Sequence, residues 1–163
     1  AKKTPRPGIH IYREYGIDPL ERHAVEEVMT REVQTIDADL SVREALSLHF
    51  GPGQAHRAFP VLRDGVLVGM ADRAVLSACH SADPVASVAD ACEPPATVSL
   101  GENCRSVATR MARLRVERLP VVRHPQSGEL VGIVARSDLI KPSLAHFDEE
   151  EKRERMRGLP WQV

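Results

Sequence analysis

The sequence predicts an α/β (α+β) fold built from two copies of one β-α-β-β-α unit. An apolar-Pro-Val-apolar tetrad occurs twice, as Phe59-Pro60-Val61-Leu62 and Leu119-Pro120-Val121-Val122, about sixty residues apart. A glycine-centred tetrad follows each, Leu67-Val68-Gly69-Met70 and Leu130-Val131-Gly132-Ile133. Helical apolar spacing precedes each strand pair, through Val42, Ala45 and Leu46 in the first copy and Val107, Ala108, Met111 and Leu114 in the second. Repetition of whole elements in the same order marks two supersecondary units that share a core.

The elements follow in turn. Ser41-Val42-Arg43-Glu44 reads as a capping box, with the Ser41 hydroxyl accepting a first-turn amide and Glu44 reaching back to the Ser41 backbone. Asn103 and Cys104 give the second helix a weaker start. Asp64-Gly65 between two apolar runs is a tight-hairpin signal, because such a turn needs positive φ at its centre. His124-Pro125-Gln126-Ser127-Gly128 is a looser version of the same turn. Closing helices are expected over residues 73–78 and 137–144, with Pro142 ill-placed inside the latter. The copies differ in length only in loops: the first is three residues longer around Gly51-Pro52-Gly53-Gln54, and the second is three longer in its hairpin. Strand faces therefore keep their register.

Bulk properties bound the function. Apolar residues make up 42% of the 163 residues and charged residues 28%, enough for a packed core without staples. A net charge of −1 gives no general attraction to nucleic acid or anionic lipid, so neither is an expected partner. Cys79, Cys92 and Cys104 are odd in number and lack CxxC spacing, which reads as buried thiols in a reducing, cytoplasmic compartment with no metal site. No apolar run reaches the ~20 residues of a membrane span, and the start Ala1-Lys2-Lys3-Thr4-Pro5 lacks a signal-peptide stretch. A first residue other than Met reads as a processed protein or as a piece of a longer one, such as the cytosolic part of an inner-membrane protein. His10, His23, His49, His56, His80, His124 and His146 are scattered, read mostly as surface residues, and join no nucleophile motif. An enzyme is not expected.

The expected layout is a linker over residues 1–24, a first unit over 25–80, a second over 81–144, and a charged helix and tail over 145–163. The tail from Asp148 to Arg157 places acids in its first turn and bases in its last, with Gly158 and Pro160 as stop signals.

Val28-Met29-Thr30, Val33-Gln34-Thr35-Ile36, Phe59-Pro60-Val61 and Gly69 together resemble one CBS domain. Gly132-Ile133-Val134-Ala135-Arg136-Ser137-Asp138-Leu139 resembles the most recognisable segment of that family, and the resemblance spans roughly residues 25–144. The lead-in Ile9-His10-Ile11-Tyr12-Arg13-Glu14-Tyr15-Gly16-Ile17-Asp18 resembles the connector before CBS pairs in bacterial voltage-gated chloride channel family proteins. The resemblance implies a pseudo-twofold pair (a Bateman module) that homodimerises through helix faces. It also implies two clefts of the kind that bind AMP, ADP, ATP or S-adenosylmethionine, with no required cofactor.

In that family the segment Gly-apolar-x-Thr/Ser-x-Ser/Thr-Asp meets a nucleotide: the Asp accepts the ribose hydroxyls, while hydroxyl side chains and helix amides meet phosphate. Here Ser137 and Asp138 match, Ala135 stands where the first hydroxyl is expected, and Arg136 adds charge. A carboxylate has acceptors enough for both O–H donors of a ribose diol. The resemblance adds Pro95, Ala96 and Thr97 at the first strand, and Val116, Arg118 and Leu119 at the second, to the ligand-binding set. A simple helix-terminal acid is the plainer reading of Asp138. The equivalent residues of the first unit are Asp72, Arg73, Ala74 and Val75, so that cleft is expected to be degenerate. The implied function is a regulatory module that senses adenine nucleotide and modulates an attached or partner membrane channel or transporter. The alternatives are a structural dimerisation module that has lost ligand binding, and a stand-alone CBS signalling protein.

Overall fold

The computed structural model describes residues 18–54 and 57–156. The lead-in before Asp18, His10, His56, and the stop signals Gly158 and Pro160 lie outside the described residues. Two compact units form, and they do not follow the sequence repeats. The described residues of one are 18–28, 101–117 and 135–156; those of the other are 29–54, 57–100 and 118–134.

The second of these carries both sheets. β1 (Ile36–Asp37) runs parallel to β2 (Phe59–Arg63), with Ile36 opposite Val61, and β3 (Val66–Ala71) returns antiparallel to β2. Asp64 and Gly65 adopt φ of 52° and 79°, the doubly left-handed turn that the dipeptide predicts. The pairing steps from Val61–Gly69 to Leu62–Leu67, leaving Val68 as an extra residue in a bulge. β4 (Val98–Ser99), β5 (Arg118–Val122) and β6 (Leu130–Ala135) repeat the order, with Val98 opposite Val121. The valine after proline thus fills the same place in both copies.

α2 (Val42–His49), α3 (Arg73–Ala82) and α4 (Val88–Ala91) belong to the same unit. Of the expected capping box at α2, only the Ser41 half forms among the described residues: Glu44 N–H donates to Ser41 Oγ at 3.1 Å, and Glu44 itself is exposed. A complete box appears instead at α4, between Ser87 and Asp90. Ile36, Val42, Val61, Leu76 and Val88 are fully buried in one core, and Phe50 meets Phe59 edge-on at a ring separation of 5.2 Å. Ala86 and Val88, which lie beyond residue 80, also pack into the core of the first copy. Backbone bonds tie them in: Val42 N–H reaches Ala86 O at 3.1 Å, and Val88 N–H reaches Leu40 O at 2.8 Å.

The lead-in of each copy is exchanged onto the other. Thr30 bridges to Ile133 in β6 through two backbone bonds of 2.9 Å. A Cβ at Gly132 would lie 2.7 Å from Met29 Sδ and 2.8 Å from Thr30 O. In the matching place, a Cβ at Gly69 would lie 2.3 Å from Cys92 Cβ. Both glycines exist because another chain segment crosses them in contact. Burial pushes the Cys92 thiol up to about 11, and neighbouring Cys79 adds to the effect.

The other unit is helical. α1 (Pro19–Arg22) and a 3-10 turn (Val25–Glu27) precede α5 (Cys104–Leu114), a 3-10 helix (Arg136–Ile140) and α6 (Lys141–Met156). The stretch read as a linker therefore folds at its end. Asp18 caps α1 by accepting from Leu20 N–H at 3.0 Å and pairs with Arg105 Nε at 2.6 Å, which holds the Asp18 carboxyl below its usual range. Cys104 N–H donates to His23 O at 2.9 Å, and Val25 N–H to Glu102 O at 2.8 Å. Asn103 caps α5 through Ser106 N–H at 2.8 Å, and Cys104, Val107 and Met111 are its buried face. Leu114, expected on that face, is 47% exposed.

The expected closing helices also differ. α3 runs on to Ala82, and the second is split into a 3-10 helix and α6. Pro142 sits second in α6, where its missing N–H leaves no helical bond unmade, so the helix restarts there. The acids from Asp148 to Glu151 consequently lie in the middle of α6 and not in its first turn, and the charged stretch 148–156 is exposed. His124 is exposed, whereas His23, His49 and His80 are half-buried, and His80 Nδ1 is buried without a hydrogen-bond partner among the described residues.

Two predictions follow from the crossing at Gly69. Gly69→Ala should destabilise the fold by about 1–3 kcal/mol in urea unfolding, whereas Gly51→Ala, with open space around it, should change little. The folded state keeps Cys92 protonated up to about 11, whereas a free thiol ionises near 9. Its contribution to stability is therefore full below about 9 and is lost as pH rises toward 11. Between neutral pH and about pH 10 the urea midpoint should drop more for the parent chain than for Cys92→Ala.

Candidate functional site

The segment after β6 turns through the 3-10 helix that carries Arg136, Ser137 and Asp138. Asp138 is 9% exposed and is the buried charged side chain among the described residues. A buried carboxylate must be paired. Its Oδ2 accepts the Ala135 N–H at 2.9 Å, and its Oδ1 meets Lys141 Nζ at 2.8 Å. Lys141 Nζ also donates to Val28 O at 3.1 Å, joining the start of α6 to the end of the first 3-10 turn. Arg136 and Ser137 are exposed. The Arg136 N–H donates to Glu117 O at 2.8 Å, and its guanidinium lies 3.4 Å from the Glu117 carboxylate.

Val116 is half-buried and follows Arg115, whose φ of 55° ends α5 in the left-handed conformation. Its N–H donates to Met111 O at 3.1 Å. Val116, Arg136, Ser137 and Asp138 belong to the helical unit. Pro95, Ala96, Thr97, Arg118 and Leu119 belong to the sheet unit. Pro95, Ala96 and Thr97 lie in the irregular stretch before β4, which is only two residues long, so they precede the strand on which they were expected. Val116 likewise precedes β5, which opens with exposed Arg118 and buried Leu119.

The first copy uses its acid in the opposite sense. Asp72 stands where Ala135 stands in the second copy, and its carboxylate accepts the Val75 N–H at 2.8 Å. In the second copy the acid lies three residues later and accepts the amide before the turn. Each copy thus keeps one half of a capping box. Arg73 donates to Phe50 O at the end of α2, and Val75 is 38% exposed in the place of Asp138. A depression of about 530 Å³ in the first copy is lined by Asp37, Asp39 and Asp64, with Asp39 paired to Arg63 at 3.0 Å. Such a lining repels phosphate.

Lys141 was not in the sequence-derived set. Its signal was the three-residue spacing from Asp138, which brings two side chains together on one helical face. Glu117, the partner of Arg136, carries no comparable signal.

The family model for the CBS domain matches residues 25–74 and again 84–144. The chain belongs to the CBS-domain family. As a CBS pair it is similar to CBSX2 in complex with AMP, with a TM-score of 0.62 and 26% identity over 76% of this chain and 97% of that one. It is also similar to the CBS domain of a bacterial CNNM/CorC family Mg2+ transporter in complex with ATP, with a TM-score of 0.62 and 26% identity over 82% and 92% of the two chains. The cytosolic domain of the Mg2+ channel MgtE in complex with ATP gives a TM-score of 0.59 and 28% identity, over 74% of this chain and 49% of that chain. No protein of curated function matches the chain. Among the described residues, no helix is long and apolar enough to cross a membrane.

Proposed function

We propose that this CBS pair is a regulatory module that binds an adenine nucleotide (AMP, ADP or ATP) through its second copy and modulates an attached or partner channel or transporter. Asp138 carries the reading. It is a buried carboxylate in the 3-10 helix after β6, in the segment whose family counterpart accepts the ribose hydroxyls, and its acceptor capacity suits a diol. Ser137 and Arg136, both exposed beside it, supply a hydroxyl and a cation for phosphate. Pro95, Ala96, Thr97, Val116, Arg118 and Leu119 complete the set through the family resemblance. The similar structures that hold AMP and ATP support the ligand class, and two of them are parts of a transporter and a channel. The lead-in before Asp18 suggests a host of the voltage-gated chloride channel family, with the module on its cytoplasmic side. The first copy is a supporting half, because Asp72 is spent on capping α3 and Val75 replaces the ribose carboxylate.

A second reading, a structural homodimerisation module, is favoured by exposed apolar side chains on the helical elements. Leu114 is 47% exposed, Ile140 55% and Leu144 57%.

Isothermal titration with AMP, ADP and ATP is expected to show one site per chain, with binding lost in Asp138→Ala. No heat at millimolar nucleotide, or equal binding by Asp138→Ala, contradicts the nucleotide reading. A chain that sediments as a dimer and gives no heat supports the structural one.

A further inference from the structure

The carboxylate proposed to take the ribose is already occupied in this structure by a side chain of its own copy. Asp138 has two partners of different character. The Ala135 amide is fixed by the backbone between β6 and the 3-10 helix. The Lys141 ammonium, in contrast, ends a flexible four-carbon stem whose side chain is 55% exposed, against 12% for Asp138. The group that covers Oδ1 is therefore the movable one. Its departure to water leaves the cap intact and opens the acceptor that a diol requires.

Lys141 does not hold Asp138 alone. The same Nζ donates to Val28 O at 3.1 Å, and Val28, 5% exposed, closes the 3-10 turn that leads into the first copy. One ammonium thus ties the start of α6, the turn after β6 and the lead-in segment.

We infer that Lys141 is an internal competitor for the ligand carboxylate, so that a ribose diol binding Asp138 displaces Lys141 and releases the Val28 carbonyl. The inference rests on the nucleotide reading of Asp138 and adds how occupancy is transmitted. Binding at the turn after β6 loosens the lead-in segment, the part of the module nearest in sequence to the residues that precede it. A ligand acts on a conformational equilibrium only through contacts that differ between its states, and the Lys141 bonds are such a contact.

The test is AMP titration of the parent chain, Lys141→Met and Asp138→Asn, with backbone hydrogen exchange of residues 24–30 measured with and without AMP. Lys141→Met should bind AMP about two- to fivefold more tightly, the range set by loss of a partly exposed competing ion pair. Exchange at residues 24–30 should rise on adding AMP to the parent chain, and should already be raised in Lys141→Met without further change. Binding by Lys141→Met but not by the parent chain also supports the inference. Unchanged or weaker binding by Lys141→Met, with AMP still bound by the parent chain, overturns the competitor role and leaves the site intact; weaker binding makes Lys141 a phosphate ligand. If neither the parent chain nor Lys141→Met binds AMP, the site reading falls and the inference with it. Asp138→Asn separates the ion pair from the cap, because its amide oxygen still accepts the Ala135 N–H. It should lose AMP binding while keeping the fold.

Discussion

Two close backbone approaches hold this fold in its arrangement. At Gly69 the Cys92 side chain lies where a Cβ would be, and at Gly132 the Met29–Thr30 segment does the same. Each glycine sits on the last strand of one copy, and each crossing segment leads into the other copy. Neither copy can therefore be completed by its own stretch of sequence. Val88 and Ala86 fill the first core from beyond its closing helix, and Thr30 extends the second sheet from before the first strand. The backbone bridges repeat the exchange, Ser41 with Ser87 and Ala24 with Asn103, each joining a helix cap in one copy to the lead-in turn of the other. A repeat that cannot bury its apolar face alone explains why the unit occurs in a pair.

Within that shared frame the two copies have diverged at one turn. Both must satisfy free amides at the start of a helix after the third strand. The first does so with Asp72, ahead of the helix, and the second with Asp138, three residues in. Placing the acid inside the turn buries it and brings it to Lys141, whereas placing it ahead leaves Val75 in the corresponding position. The chemistry a ligand would meet thus differs between copies, although the fold does not.

Much of this was legible in the residues. The doubled tetrads marked the second and third strands of each copy, and Asp64-Gly65 marked a turn with positive φ at its centre. Asn103 and Ser41 marked helix starts that the structure contains. What periodicity did not carry was any contact between segments far apart in the chain. Nothing around Cys92 announces that it covers Gly69, and Asp18 is paired with Arg105 across most of the chain. Pro142 was read correctly as incompatible with a helix interior, but its consequence, a 3-10 helix followed by a fresh start at Lys141, needed the structure. That restart puts Lys141 beside Asp138. For the candidate site, Asp138 stood out through family resemblance, and the plainer reading of it as a helix-terminal acid also describes what it does.

Under the proposed function, the second copy alone offers a carboxylate to a nucleotide. Amide chemical shifts of the isotopically labelled chain, followed as AMP is added, test it most directly. Saturable shifts are expected, concentrated at residues 135–141 and in the lead-in 24–30, with residues 72–75 unmoved. Shifts centred on residues 72–75, or none anywhere at millimolar AMP, would contradict it.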